Sequence, residues 1–212
     1  MRFTVATYNI HKGFTQLNRR MVIHELRERL AGLDADILFL QEVIGVHERH
    51  AARHRDWPAK PQHEFIADQS WHEVAYGRTA ITRHGHHGNA VLSRYPISTH
   101  ENLDISAHAF ESRGLLHCEI KLGPRSATLH CINVHLGLFE RGRQQQIAAL
   151  CARIRAQIAR ICCWRPRSKS PRWTLMQWSD GLRGPSLISQ WSKPRLSNAC
   201  AEMSRFSCAE IG

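Results

Sequence analysis

Leu33-Asp34-Ala35-Asp36-Ile37-Leu38-Phe39-Leu40-Gln41-Glu42-Val43 is a short apolar run that ends on a carboxylate. Ile37 to Leu40 is too short to span a membrane and too apolar for a surface strand, so it is predicted to be a buried strand of a helix-covered sheet. Glu42 is the exception. A lone carboxylate is costly to bury unless something pairs with it, and in open α/β sheets ligands collect at strand ends. The run therefore predicts that Glu42 holds a cation at a strand end.

Upstream, Phe3, Val5 and the Thr4/Thr7 pair predict a first strand to about Ile10, broken by Asn9-Ile10-His11-Lys12-Gly13. From Leu17 to Leu33 the residues Val22, Leu26, Leu30 and Leu33 recur at helical steps, with Arg19, Arg20, Arg27 and Arg29 elsewhere, which predicts an amphipathic helix. Strand, helix and buried strand together make the crossover unit of a mainly parallel or mixed α/β sheet. Downstream, the His- and Arg-rich stretch from Val46 to Gln62 is predicted to be a long loop with at most one helical turn. Phe65-Ile66-Ala67 and Glu73-Val74-Ala75-Tyr76 are weak strand candidates. Gly85 to Ile97 is a glycine-flanked polar turn entering a strand that stops before Pro96. Gly114 to Leu122 and Ser126 to Leu138 are predicted strands, joined at Gly123-Pro124 into an antiparallel hairpin. A helix follows from about Arg143 to Ile161, with an apolar stripe of Ile147, Leu150, Cys151, Ile154 and Ile158.

At about Ile161 the character changes. All 15 His lie before it, while 4 of the 6 Trp lie after it. Ser, Arg and Pro are scattered there with neither period 2 nor period 3.6, so the segment is read as neither strand nor helix. Two readings are open for it: a basic tail that binds anions, or sequence never selected to fold.

At 212 residues the chain is long enough for a substantial core, as one large domain or two small ones. A formal net charge of +11 favours a polyanionic partner such as nucleic acid, phospholipid or phosphate esters. Seven cysteines, in no spacing that suggests zinc or a disulfide framework, point to a reduced cytoplasm. The N-terminus has no apolar signal core and no run reaches the length of a membrane helix, so a soluble protein, monomeric and cytoplasmic, is expected.

Cleaving a phosphate ester with water takes a divalent cation on its oxygens, a base for the water and a donor for the leaving group. Asn9 and Glu42 offer hard oxygen ligands at two candidate strand ends, and Mg²⁺ takes only one or two protein carboxylates. His135 lies near the end of the strongest strand, with Asn133 read as pointing to the opposite face. Arg113, before a strand start, is a candidate grip for phosphate, and Asn89 a candidate donor. His86-His87 reads as a polar loop at the rim of a cleft.

Thr7-Tyr8-Asn9-Ile10-His11-Lys12-Gly13, Phe39-Leu40-Gln41-Glu42-Val43, Ala75-Tyr76-Gly77-Arg78, Gly88-Asn89-Ala90-Val91-Leu92-Ser93-Arg94-Tyr95-Pro96-Ile97 and Asn133-Val134-His135-Leu136-Gly137 occur in this order. Together they resemble the endonuclease/exonuclease/phosphatase superfamily with its DNase I-like fold, and within it the small bacterial members. The resemblance covers residues 1–160. It implies an α/β (α+β) two-sheet sandwich flanked by helices, and a hydrolase of phosphodiesters or phosphomonoesters using Mg²⁺, with Mn²⁺ as the alternative ion. It also implies that Asn9 and Glu42 bind the metal, that His135 supports the scissile phosphate and leaving group, that Arg113 contacts substrate phosphate and that Asn89 lines the same cleft. The substrate class stays open among nucleic acid, phospholipid head groups and small phosphoesters.

The family pattern continues with Gly-Asp-Phe-Asn and a later Asp-His pair, and neither occurs in this sequence; Ser179-Asp180-Gly181 is the nearest echo. The expectation is thus an incomplete C-terminal half, with residues 161–212 an atypical, disordered or frameshifted tail, and strongly impaired catalysis. The alternative is a non-catalytic phosphate or nucleic-acid binder.

Overall fold

The computed structural model of the chain describes residues 3–15, 20–123, 128–163, 172–178 and 188–190, with side chains described as far as residue 157. Strands β1 (Thr4–Asn9) and β2 (Ile37–His47) pair in parallel across α1 (Ile23–Ala31), as the strand-helix-strand reading anticipates. The short helices α2 (Glu48–Arg53) and α3 (Gln62–Ala67) follow β2 and lead to β3 (Glu73–Thr82) and β4 (Gly85–Ser93). The first sheet has the order β3-β4-β2-β1-β9, with β9 (Ile188–Gln190) antiparallel to β1. The second has the order β5-β6-β7-β8, built from β5 (Ile97–Asp104), β6 (Gly114–Lys121), β7 (Thr128–His135) and β8 (Arg172–Trp178). The long helix α4 (Glu140–Cys163) separates β7 from β8.

Alternation along the strands sorts the apolar side chains into layers. Val5, Ile37, Phe39, Ala75 and Val91 of the first sheet meet Leu116, Cys118, Ile120, Leu129 and Cys131 of the second in one buried cluster. The other face of the first sheet, with Leu38, Leu40 and Leu92, is covered by Ile23, Leu26, Leu30 and Ile66 of α1 and α3. The outer face of the second, with Leu115, Ile132 and Val134, packs on Leu150 and Ile154 of α4. The result is a two-sheet sandwich flanked by helices. Among the described residues no helix is long and apolar enough to cross a membrane.

Polar side chains also cross between the sheets. Asn133 of β7, fully buried, donates from Nδ2 to the carbonyls of Leu40 (2.9 Å) and Ala90 (2.8 Å), and its Oδ1 accepts from Gln41 Nε2 (2.8 Å). Gln41 Nε2 also reaches Thr7 Oγ1 at 3.2 Å, so one amide pair ties β1, β2 and β4 to β7. Asn133 therefore points inward on the same face as His135, two residues on, and not to the opposite face as the sequence reading had it.

Several elements differ from the sequence-based expectation. Helix α1 starts at Ile23, not Leu17, because Thr15 N and Val22 N are committed to the carbonyls of Arg20 and Gly13 (both 2.8 Å); Leu17 itself lies outside the described residues. Phe65-Ile66-Ala67 is the last turn of α3, not a strand, with Phe65 N bonded at 2.9 Å to the carbonyl of Pro61, which caps the helix at its N-terminus. Strand β5 carries almost no buried side chain and so leaves no hydrophobic period to read. Residues 172–178 and 188–190 form strands although their pattern suggests none. An edge strand is held by its backbone ladder, parallel to β7 or antiparallel to β1, and needs no alternation for that.

Asn133→Ala leaves Gln41 Nε2 and two carbonyls without this partner, and is expected to lower unfolding free energy by about 3 kcal/mol in urea titration. A loss under about 1 kcal/mol would show that the inter-sheet amides are dispensable. His63 stacks on Tyr76 (centroids 4.3 Å apart, 4° between planes), and burial holds its pKa down at about 4. The unfolded chain takes up this proton near pH 6.5 and the folded one only near 4, so this contribution is complete above about 6.5 and is lost as pH falls towards 4. His63→Phe is expected to flatten the stability profile across that window, at most by about 1.4 kcal/mol per pH unit, as read by denaturation at several pH values.

Candidate functional site

The site begins with an extra residue in β2. Leu40 pairs with Ala90 and Val43 with Gly88, so Gln41 and Glu42 together oppose Asn89 on β4. This is a β-bulge, a device that re-aims a side chain next to a functional cleft. Glu42 takes φ +54°, a conformation that side-chain-bearing residues adopt at a cost of roughly 1–3 kcal/mol. Glu42 thus lies within β2 and not at a strand end as expected, because the strand resumes after the bulge and runs on to His47.

Around it converge one end of each sheet. Asn9 closes β1, and the turn after it holds His11, Lys12 and Gly13 all at positive φ (46°, 60° and 80°). Gln62 pins this turn to β2: its Nε2 donates to Lys12 O (2.8 Å) and its Oε1 accepts from Ile44 N (2.9 Å). A Cβ on Gly13 would stand 2.6 Å from Gln62 Nε2, so only glycine fits beside it.

The Asn9 amide accepts at Oδ1 from His11 N (2.9 Å) and donates from Nδ2 to Glu42 Oε1 (3.3 Å). Asn9 therefore faces Glu42 with its nitrogen and orients the carboxylate. The other neighbours of that carboxylate are imidazoles, His11 Nδ1 at 4.0 Å from Oε2 and His135 Nδ1 at 4.0 Å from Oε1. Among the described residues no Lys or Arg comes within ion-pair distance of it, although its side chain is only 20% exposed. A half-buried carboxylate without a strong cation suits a hard divalent ion that keeps most of its waters.

His135 is the last residue of β7 and is buried on the inward face. Asn89 is also buried and donates from Nδ2 to Gly114 O (3.0 Å), clasping β4 to the start of β6. Arg113 is paired through Nη2 with Glu111 Oε1 (2.9 Å), so its charge is compensated, while its buried Nε has no hydrogen-bond partner among the described residues. A guanidinium with five donors keeps capacity for a phosphate oxygen beside that pair. Glu42, His135, Asn89 and Arg113 line one narrow cleft that opens to solvent. Asn9 acts on it through Glu42.

His87 of β4 lines the same cleft. Burial, together with Lys12, Arg113 and His135, pushes its pKa down to about 4 against the opposing pull of Glu42, so it is a neutral imidazole near pH 7. Sequence reading assigned the His86-His87 pair to a rim loop; the alternation that turns His87 and Asn89 to one face of β4 was the available signal.

One three-ligand group among the described residues lies elsewhere. His117, Glu119 and His130 gather under α4, with ligand atoms within 4.8 Å of one another. Arg153 Nη2 lies 3.2 Å from His117 Nδ1, and His117 Nε2 lies 3.0 Å from His130 Nδ1. Arginine only donates, so His117 accepts at Nδ1 and turns an N–H towards His130, which is an internally satisfied relay and not an open ligand set.

Comparison with known proteins places this geometry. The profile of the Endonuclease/Exonuclease/phosphatase family matches residues 6–182. The chain is 50% identical over 148 residues to the uncharacterized protein YbhP of Escherichia coli strain K12, an alignment covering 70% of this chain and 58% of YbhP. It thus spans under two thirds of that relative's length. Among solved structures, a Beutenbergia cavernae endonuclease/exonuclease/phosphatase superposes with TM-score 0.54 at 18% identity, over 70% of this chain and 43% of that one. The mannosyl-6-phosphatase of Bacteroides thetaiotaomicron superposes with TM-score 0.57 at 14% identity, over 82% and 64%. These likenesses show the fold, the DNase I-like sandwich. By the profile match over most of its length, the chain belongs to the Endonuclease/Exonuclease/phosphatase family.

Proposed function

We propose that this chain carries the cleft of a divalent-metal-dependent phosphoesterase that hydrolyses phosphodiester or phosphomonoester bonds by in-line attack of water, with Mg²⁺ as the ion and Mn²⁺ able to replace it. The observation that carries the reading is Glu42: a strained bulge aims a poorly paired carboxylate into the cleft where the two sheets meet. Glu42 would hold the ion, and Asn9 fixes the carboxylate's orientation through its amide nitrogen. When bound, the ion neutralises the phosphate oxygens and lowers the cost of the developing charge. His135 faces the reacting phosphate and leaving group, Arg113 offers its spare donors to a phosphate oxygen, and Asn89 keeps the two sheets in register beside them.

The proposal includes weak turnover and a monomeric, cytoplasmic protein. The Gly-Asp-Phe-Asn and Asp-His motifs that the family resemblance calls for are missing from this sequence, and losing a general base costs about 10²–10⁴-fold. It also includes an aberrant, frameshifted continuation from about residue 161. Reading the coding DNA in the other two frames is expected to reveal a Gly-Asp-Phe-Asn strand and a later Asp-His pair, and finding neither removes the frameshift.

Hydrolysis of bis-p-nitrophenyl phosphate and of plasmid DNA is expected to need Mg²⁺, to vanish with EDTA, and to fall at least about 100-fold in Glu42→Ala and in His135→Ala. Calorimetric titration with Mn²⁺ checks the ligand independently of turnover, with binding expected in the parent and lost in Glu42→Ala. Activity that survives Glu42→Ala would remove Glu42 as the metal ligand. Phosphate binding with no turnover under any metal would favour a non-catalytic binder. Glu42→Gly is expected to leave the fold at least as stable while abolishing Mn²⁺ binding, since glycine relieves the positive φ.

A further inference from the structure

Among the described residues six large apolar side chains are exposed, and five of them stand at one end of the sandwich. That end is where the cleft opens: β2 and β7 finish there, β4 and β6 begin there, and the β3–β4 turn and the loops before β6 and after β7 cover it. Phe110, on the loop before β6, is fully exposed at 101%, and Leu138 and Phe139, on the loop after β7, are 61% and 71% exposed. Val46 and Ile81 flank His86 in the β2–β4–β3 register and are 50% and 70% exposed. Ala80, the neighbour of Ile81, lines a wider cavity beside the Glu42 cleft together with Phe110 and Phe139, so the two parts of this surface adjoin. The sixth side chain, Ile147, lies apart on α4. Single exposed apolar groups are ordinary on a surface, whereas their gathering at one end marks a place of contact.

The apolar tips are held by ordered backbone. Glu111 N donates to His108 O (3.2 Å) and closes the turn that carries Phe110, Glu111 Oε1 accepts from Leu138 N (3.4 Å), and Phe139 O accepts from Arg143 N (3.0 Å). Charge at this end is one-sided. The carboxylates beside the two phenylalanines are neutralised in place, Glu111 by Arg113 Nη2 (2.9 Å) and Glu140 by Arg143. Arg83, two residues after Ile81, and Arg141, two after Phe139, are exposed and have no acidic partner among the described residues. Next to Val46, the exposed Glu48 is followed by the equally exposed Arg49. Apolar tips thus stand among uncompensated positive charge, on a chain whose formal charge is +11.

We infer that this end of the sandwich is a docking surface for an anionic phospholipid bilayer. The apolar tips give up their exposed area at the acyl boundary, while Arg83 and Arg141 stay at the level of the phosphate head groups. Apolar tips alone would suit a zwitterionic surface as well, and charge alone would suit any polyanion; their combination selects the anionic bilayer. A second copy of this chain fits less well. Two faces of like charge repel, and a stable interface takes about 20–30 residues a side, far more than this end supplies. The inference concerns where the chain sits, and it holds whichever phosphate ester the cleft takes.

The test is co-sedimentation of the full chain, in EDTA, with vesicles of phosphatidylcholine alone and of phosphatidylcholine mixed with an equal part of phosphatidylglycerol. The mixed vesicles are expected to hold the chain at least about 10-fold more tightly. Phe110→Ala and Phe139→Ala are each expected to weaken that binding about 10-fold and Arg141→Gln about fivefold, while Phe110→Trp keeps it. Ile147→Ala, outside this face, is expected to change nothing. The side chains at 110, 139 and 141 are exposed, so circular dichroism is expected to show unchanged folding. Equal binding to the two kinds of vesicle overturns the docking surface. So does binding that the two phenylalanine variants leave intact, or that Ile147→Ala weakens as much, because the diffuse charge of the chain would then account for it. A lipid-free dimer by light scattering that Phe110→Ala dissociates, with no vesicle binding, overturns it in favour of a second copy.

Discussion

The buried amide of Asn133 is the contact on which the rest of the molecule depends. Its two N–H groups reach the carbonyls of Leu40 and Ala90, the last regular pair before the bulge interrupts the β2–β4 ladder. An interrupted ladder buried between two sheets leaves polar groups that must find partners, since each one left bare costs about 1–3 kcal/mol. Asn133 supplies donors from the other sheet at that place. The bulge in turn sets Glu42 at positive φ and aims it at the cleft. Closure of the sandwich and presentation of the candidate ligand are thus one constraint: a change that loosens β7 from β2 disturbs the carboxylate, and a regular β2 would leave Asn133 facing a ladder with no vacancy for its N–H groups.

This explains which parts of the fold were legible in the sequence. Ile37 to Leu40 could be read because every face of that strand is buried and the residues say so one by one. Parallel pairing of β1 with β2 follows from the helix between them, and of the predicted α4 stripe Leu150 and Ile154 pack on the second sheet while Ile147 is exposed and the side chain of Ile158 lies outside the described residues. The bulge was not legible. It is an insertion of one residue, and its signature lies in the partner strand, where Asn89 alone faces Gln41 and Glu42. Helix α3 was misread because six residues give too little period to separate helix from strand, and β8 and β9 because edge pairing uses backbone groups that every sequence has.

The candidate site shows the same division. Residue types were readable, and partners were not. Asn89 and Arg113 read naturally as phosphate contacts, yet each has a protein partner, Gly114 O for the one and Glu111 for the other. Asn9 reads as a ligand oxygen, yet a backbone N–H claims that oxygen and turns the nitrogen to Glu42. Sequence can name a donor or an acceptor, but a hydrogen bond is a relation between two groups far apart in the chain, and only the fold states which relation was taken.

A consequence concerns selectivity. A formal charge of +11 draws any polyanion towards the chain, and screening at physiological ionic strength leaves that attraction broad and unspecific. At the cleft, the basic groups are compensated or neutral, with Arg113 on Glu111 and the imidazole of His87 neutral. Long-range attraction and local recognition are therefore separated in this molecule. The first acts on polyanions of every kind; the second has to come from geometry, from a carboxylate aimed by a bulge and from what the neighbouring cavity accepts. Phe110 and Phe139 stand exposed at the rim of that cavity, so apolar surface shapes what it accepts alongside the basic residues that dominate the composition.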